Sequence, residues 1–277
     1  MMSRHVAVAF RMALGALVGV TMVLPLVWMI TTSLREPGSV PPRQLEWIPD
    51  PAVWSNYPAV FDALPVATMA RNSVIIAAIA VPISVLCASW GGFALTQLMP
   101  RARRRIVAVT LVAAMIPVTA TWVTRFVLFS EIGLIDTWWP LVLPALMGTS
   151  PLFALVYVWA FAAIPRDIID AARLDGASAF RTWATIVFPM VRPTTVAVTM
   201  LTFTMHWNNF TDPLIYIQSL DRQTLPFALS ALYQLAPTDW PLLMAAAVML
   251  TGPAVVVFLL GQRAFIHNAR GEGWLGN

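Results

Sequence analysis

The chain has 277 residues, of which 59% are hydrophobic and only 11% are charged, and its formal net charge at pH 7 is +4. Soluble domains are about a quarter charged, so this composition indicates an integral membrane protein. All 17 basic residues are arginine, and without lysine the chain can form neither a nucleotide-binding P-loop nor a lysine Schiff base. If nucleotide hydrolysis drives this protein, the ATPase must therefore be another chain.

Hydropathy predicts an all-α membrane protein in which residues 1–277 form one transmembrane domain with six spans. Arg4 precedes the first span, and Arg11 lies at its start. Its apolar run is too long for a signal sequence and no clear cleavage site follows, so we expect it to remain in the protein as a helix. The expected spans are residues 10–34, 72–98, 106–129, 141–163, 194–210 and 241–265.

Prolines lie inside every expected span except the fifth. Proline removes a backbone donor and kinks a helix, which membrane proteins tolerate where helices must bend or rock. The internal prolines are Pro25, Pro82, Pro117, Pro144, Pro151 and Pro253.

A polar stretch at residues 164–189 separates the fourth span from the fifth. Since polar groups without partners are costly in hydrocarbon, this stretch must lie outside the bilayer. Its pattern predicts two short helices. Pro165 and Asp167 open the first helix, Asp170 follows Asp167 at the spacing of a capping box, and Gly176 ends it. The second is expected to begin at a Ser178 cap and to carry apolar residues at helical spacing: Phe180, Trp183, Ala184 and Val187.

The same stretch resembles the EAA loop of bacterial ABC-importer permeases. That pattern is Glu-Ala-Ala, three residues, Gly, nine residues and Ile-x-Leu-Pro, and the spacing here is identical. Asp170 stands where glutamate is usual and Phe188 where leucine is usual. The resemblance implies a cytoplasmic coupling helix that fits a groove on a separate ATPase subunit. The residues that it assigns to ATPase coupling are Asp170, Ala171, Ala172, Arg173, Asp175, Gly176 and Phe180.

Further motifs resemble the six-helix permeases of maltose-type carbohydrate importers. This resemblance implies the type I importer fold, with six transmembrane helices and a cytoplasmic coupling hairpin. The C-terminal tail at residues 268–274 departs from the family pattern because it contains no lysine. The matching segments are residues 90–95, 116–117, 133–138, 207–210, 224–226, 238–240 and 262–265, together with the basic turn at 100–105.

The arginines also predict the orientation in the membrane. With the N-terminus inside, internal segments hold 12 of the 17 arginines. Because positive charge accumulates on the cytoplasmic side, we expect both termini and the 164–189 loop in the cytoplasm of a bacterial cell membrane. The same topology explains a calculated pI near 10 without nucleic acid.

The resemblance also implies the partners and the mechanism. The expected partners are a second related permease, two ATPase subunits, an external solute-binding protein and membrane lipid, with no cofactor and no metal. ATP-driven closure of the ATPases would rock the spans between inward-facing and outward-facing states. Solute would reach the open cavity from the binding protein.

The outer half of the fifth span carries Trp207, Asn208 and Asn209. Amides and an aromatic ring suit sugar hydroxyls and indicate a substrate pathway, and interhelical hydrogen bonding is the alternative that the residues themselves favour slightly. Three rival functions remain open at this point. They are import of a glycerophosphate-type solute held by Arg71 and Arg125, ion-coupled secondary transport, and an integral membrane enzyme, for which no catalytic cluster is found.

Overall fold

The computed structural model describes residues 4–40 and 47–271, and the side chains of residues 8–40 and 47–262. This part of the chain is almost entirely helical and contains no strand. It confirms the expected all-α fold. The sequence singled out the tail at residues 268–274 and the motif at residues 262–265. The side chains of the tail and of residues 263–265 lie outside the described residues.

The helices are numbered α1 to α14 in chain order. They are α1 (Arg4–Ser33), α2 (Asn56–Ala63), α3 (Val66–Thr96), α4 (Pro100–Ala114), α5 (Trp122–Glu131), α6 (Trp139–Val142), α7 (Pro151–Ala162), α8 (Arg166–Leu174), α9 (Ala179–Thr182), α10 (Phe188–Met190), α11 (Arg192–Trp207), α12 (Thr211–Tyr216), α13 (Leu225–Leu235) and α14 (Trp240–Gly271).

Four helical segments are long and apolar enough to cross a membrane: Val8–Ser33, Val66–Thr96, Trp139–Ala162 and Trp240–Gln262. Two more candidates are bent pairs. Pro100–Ala114 and Val118–Glu131 meet at 83°, and Ala179–Met190 and Arg192–Trp207 meet at 88°. If each bent pair is one span, the described residues contain six spans.

The described prolines differ in their effect on the helices. Pro25, Pro82 and Pro253 lie inside continuous helices. Pro117, in contrast, lies in the break between α4 and α5, just before a short 3₁₀ turn at Val118–Thr121. Proline disfavours helical backbone in the residue before it, which accounts for the end of α4 at this place.

Contacts divide the chain into two compact units, the first of which comprises residues 1–67 and 227–253. In this unit the segment after α1 folds back onto α2. The buried Asn56 side chain donates to the backbone carbonyls of Ser33 at 2.8 Å and Arg35 at 2.7 Å. The Ser33 and Tyr57 hydroxyls are 2.9 Å apart. These bonds satisfy carbonyls that the end of α1 leaves without helical partners.

The second unit comprises residues 68–226 and 254–277, and its main core joins α3, α7, α8 and α11. Phe93, Tyr157, Phe161 and Val198 are almost completely buried there. Gly92 allows α3 to approach α7 closely. A Cβ atom at this glycine would lie 2.5 Å from the Tyr157 Cβ and 2.8 Å from the Ala154 carbonyl oxygen.

The loop between α5 and α6 is bound to the segment that follows α12. Asp136 accepts hydrogen bonds from the backbone N–H groups of Gln218 at 3.0 Å and Ser219 at 2.9 Å, and from the Ser219 hydroxyl. Arg222 adds an ion pair at 3.4 Å. The Ser219 hydroxyl, with these further donors, holds the pKa of Asp136 below its ordinary value of 3.8.

We expect Asp136→Asn to destabilise the assembled protein by about 1.5–3 kcal/mol, because the amide cannot replace the charged acceptor. The stabilisation from a lowered pKa is complete above pH 3.8 and is lost as the pH falls through the folded-state pKa. Thermal unfolding of both forms from neutral to acidic pH measures this difference. If the difference in unfolding temperature between the two forms stayed the same at acidic pH, the stabilising role of the Asp136 carboxylate would be contradicted. Asp221→Asn on the same segment is the control, since that exposed residue contributes its backbone carbonyl to Asn72.

Candidate functional site

The first helix of the 164–189 loop, α8, ends as the glycine spacing predicts. Gly176 has φ of +77°. Its N–H donates to the Arg173 carbonyl at 3.0 Å, and the next N–H, that of Ala177, donates to the Ala172 carbonyl at 2.9 Å. These two bonds form a Schellman motif, in which the left-handed residue reverses the chain and satisfies the last helical carbonyls.

The start of α8 differs from the expected capping box. The residue before the helix is Pro165, and no side chain caps the first turn. Asp170 instead forms an ion pair with Arg173 at 3.3 Å. The capping-box interpretation is therefore wrong, because the residue at the cap position has no side-chain acceptor.

The second helix begins at the predicted cap. The Ser178 hydroxyl accepts a hydrogen bond from the Arg181 backbone N–H at 3.2 Å. After α9 the helix widens into one π-helical turn at Trp183–Val187 and then continues as α10. Trp183 and Val187 are buried by this turn. Such turns occur frequently at functional sites.

An aromatic cluster fixes this second helix to α3. The Trp90 ring lies edge-on to the Trp183 ring with centroids 5.2 Å apart, and to the Phe180 ring at 5.7 Å. Phe93 continues the cluster towards Phe161 of α7, at 5.9 Å. Aromatic pairs with this geometry contribute about 0.5–1.5 kcal/mol each beyond the area they bury. The cluster thus connects the hairpin with α3 and α7.

The tip of the hairpin exposes large apolar side chains. Leu174 is 90% exposed and Phe180 is 62% exposed. Asp170, Arg173 and Asp175 of the same hairpin are exposed charges. Large exposed apolar side chains among charged residues are typical of a protein interaction site. Leu174 did not stand out in the sequence, since one leucine at the end of a short helix carries no signal by itself.

A cavity of about 290 Å³ lies between α5, α11 and α12. Most of its wall is apolar, and we call it the polar cavity after the few polar side chains that it contains. Its lining includes Thr149, His206 and Asn209, together with Trp122 from the wall of α5. Thr149 and His206 are hydrogen-bonded at 3.0 Å. Asn209 donates its amide to Asp212 at 2.9 Å.

An ion pair closes one side of this cavity. Arg125 lies 3.4 Å from Asp212, and its guanidinium stacks over the ring of Tyr216 at 5.3 Å. The two charges are 87 positions apart in the chain, so sequence spacing did not indicate their contact. Because the two charges are opposite, this pair adds no net charge to the cavity.

The profile of the family described as "Binding-protein-dependent transport system inner membrane component" matches residues 80–270. This range includes the hairpin, its aromatic cluster and the polar cavity. The chain belongs to this family.

Curated relatives cover nearly the whole permease. The lactose transport system permease protein of Rhizobium radiobacter is 26% identical over 250 residues, which is 90% of each chain. An arabinooligosaccharides transport system permease protein of Halalkalibacterium halodurans is 30% identical over 247 residues, or 88% of each chain. A crystal structure of a bacterial alginate importer shares the fold with a TM-score of 0.72 at 19% identity, covering 96% of the permease and 99% of that chain.

The structure places the three expected pathway residues of the permease differently. Asn209 lines the polar cavity. Trp207 is only 2% exposed and stacks on Phe203 with centroids 5.4 Å apart. Asn208 is exposed at the end of α11. The structure therefore brings Asn209 together with Arg125, Thr149, His206 and Asp212, which the pathway prediction did not include.

Proposed function

We propose that the permease is the membrane subunit of an ATP-driven importer that translocates a carbohydrate by alternating access. Membership of a binding-protein-dependent transport family supports ATP-driven import over ion-coupled secondary transport. The relatives named as lactose and arabinooligosaccharide permeases support a carbohydrate as the solute. In this proposal the permease is a single domain, works with a second related permease and receives its solute from an external binding protein.

The coupling hairpin, defined here as residues 164–189, receives the force from ATP hydrolysis. The exposed Leu174 and Phe180 at its tip are the observation that carries this proposal. They are large apolar groups on a charged, extramembranous loop, and an ATPase groove would bury them. ATP hydrolysis then takes place on two separate ATPase subunits. The hairpin and both termini lie in the cytoplasm, in agreement with the distribution of arginines.

The hairpin conveys its motion through rigid contacts. Ile169 of α8 and Trp183 of the π turn are buried in the same core as α3, α7 and α11. A ligand can shift a conformational equilibrium only through contacts that differ between its two states. The charged residues Asp170, Arg173 and Asp175, with Ala171 exposed beside them, are proposed to make such contacts with the ATPase. Ala172 faces the core and Gly176 sets the turn.

The polar cavity supports an uncharged solute. Arg125 is already neutralised by Asp212, so the cavity favours hydroxyl groups over a second anion. The pairing of these two charges therefore argues against a glycerophosphate-type solute. Asn209 is proposed to contact the solute directly. Trp207 is proposed to support this part of the pathway from its buried position, and Asn208 to contribute from the exposed end of the helix.

Reconstitution of the complete importer tests the coupling role. We expect Leu174→Asp to reduce solute-stimulated ATP hydrolysis and uptake by at least about tenfold, because a charge would have to be buried in the ATPase groove. Leu174→Met, which keeps an apolar side chain of similar volume, is expected to retain most activity.

Two readouts separate a coupling defect from misfolding. The aspartate variant is expected to insert and to purify with the second permease, since Leu174 is 90% exposed and contributes little to the core of the isolated chain. Binding of the ATPase subunit to this variant is expected to weaken. Full ATPase binding and full uptake by Leu174→Asp would refute the hairpin tip as the coupling element.

A further inference from the structure

A second cavity of about 470 Å³ lies between the α3–α4 turn and α8. It is unusually rich in guanidinium groups, since Arg103, Arg166 and Arg173 all line it. The one acidic residue in its lining is Asp170, and this carboxylate is already paired with Arg173 at 3.3 Å. The cavity therefore carries an excess of positive charge.

Two of the three arginines have no internal counter-charge. Among the described side chains, Arg103 and Arg166 form no ion pair. Arg103 is half-buried, so water screens its charge less than that of a fully exposed arginine. Arg173 is anchored by its second nitrogen to the side-chain oxygen of Gln97. Guanidinium groups that line one cavity repel one another, and an anion bound between them relieves this repulsion.

Two helix N-termini strengthen the positive potential. The cavity is lined by Met99 and Pro100 at the start of α4, and by Arg166 at the start of α8. Neither helix has a side-chain cap at its N-terminus. At α8 the unpaired N–H groups of the first turn favour a phosphate, although Asp167 in that turn opposes the positive end of the helix dipole. At α4 the first residue is Pro100, which has no N–H, so this end contributes its helix dipole.

The surface beside the cavity is apolar. Met99 and Ile106 are exposed and lie on the same side of α4 as Arg103, at spacings of four and three residues. Val109, one turn further along α4, is exposed as well. A charged pocket that adjoins an exposed apolar helix face matches an amphiphile, with a phosphate at one end and acyl chains at the other.

We propose that this cavity binds the phosphate of an anionic phospholipid headgroup, whose acyl chains lie along the exposed face of α4. The bound phosphate accepts hydrogen bonds from Arg103 and Arg166 and connects the start of α4 with the start of α8. The lipid thus links the coupling hairpin to the basic turn. This site is independent of which solute the permease carries.

Lipid retention by the assembled importer tests the proposal. The complex is reconstituted in phosphatidylcholine with phosphatidylglycerol, extracted into detergent and examined by native mass spectrometry. We expect the intact complex to retain phosphatidylglycerol, and Arg103→Gln/Arg166→Gln to reduce this retention by at least about tenfold. Arg103→Lys/Arg166→Lys keeps the charges and is expected to retain much of the lipid.

The basic turn supplies a matched control. Arg101→Gln/Arg105→Gln removes two charges as the test variant does, both of them from α4, the helix that carries Arg103, but neither arginine lines the cavity. We expect this control to retain phosphatidylglycerol as the unmodified complex does. Equal losses in the two glutamine variants would overturn the site in favour of general surface attraction.

Two further outcomes would also overturn the proposal. Displacement of the lipid by an excess of inorganic phosphate would show that the cavity takes a soluble phosphate. Unchanged lipid retention in Arg103→Gln/Arg166→Gln, together with loss of the ATPase subunit, would assign the arginines to a protein contact. Assembly and thermal stability of each variant are measured alongside, so that a loss of lipid is distinguished from unfolding.

Discussion

Gly92→Val is expected to prevent α3 and α7 from packing and to abolish assembly of a functional importer. Even the first added carbon would lie 2.5 Å from the Tyr157 Cβ and 2.8 Å from the Ala154 carbonyl oxygen. Neither atom is the flexible end of a side chain, so the helices themselves must separate. Overpacking of this kind typically costs about 1–3 kcal/mol for small insertions, and valine adds further methyl groups in the same place.

Gly91 provides the control for this prediction. A Cβ atom at Gly91 meets nothing within 4 Å, although the two glycines are adjacent on α3. We expect Gly91→Ala to accumulate in the membrane and to unfold thermally like the unmodified protein. Gly92→Ala is expected to lower the unfolding temperature, and Gly92→Val to leave little assembled complex. Equal stability of the two alanine variants would contradict the close approach of α3 and α7.

Gly176→Val is expected to insert normally but to lose ATP-coupled uptake by at least about tenfold. No atom lies within 4 Å of a Cβ at this position, so the effect is conformational rather than steric. A β-branched residue disfavours the left-handed backbone by about 1–3 kcal/mol. When the backbone at residue 176 leaves the left-handed conformation, the strain is relieved but the two hydrogen bonds of the Schellman motif break. The tip of the hairpin then moves away from the position in which it would contact the ATPase.

Gly176→Asn distinguishes backbone conformation from side-chain volume. Asparagine adopts the left-handed region far more readily than valine, and its side chain has open space here. We therefore expect Gly176→Asn to retain most of the solute-stimulated ATP hydrolysis that Gly176→Val loses. Similar activities in the two variants would mean that the turn is not required for coupling.

Local features of the hairpin were predictable because neighbouring residues determine them. A glycine after an amphipathic helical turn predicts a helix end, which is present at Gly176. A serine before the second helix predicts a helix cap, which Ser178 forms with the Arg181 N–H. The π turn at Trp183–Val187 was not predicted. Trp183 of this turn packs edge-on against Trp90 of α3, so the local helix geometry depends on tertiary packing as well as on local sequence.

The polar cavity shows which part of the candidate site could not be predicted from the sequence. Asn209 was predicted from its position near the end of a span, and it lines the cavity. Arg125 was assigned to the outer side as a possible phosphate ligand, whereas it pairs with Asp212. A contact between residues 87 positions apart depends on how α5 and α12 pack. The prolines behave similarly, since Pro82 lies in a continuous helix and Pro117 lies at a break.

The π turn makes the hairpin sensitive to changes in chain length. Residues in an α-helix are about 100° apart around the axis, so removal of one residue from 183–187 would rotate everything before it by about that angle. Phe180 would then point away from Trp90, while α10 and α11 would stay in place. The importer should therefore tolerate substitutions at the exposed Thr185 better than at the buried Trp183 and Val187, but neither a deletion nor an insertion at any of the five positions. The number of residues in this turn thus matters in addition to their identity.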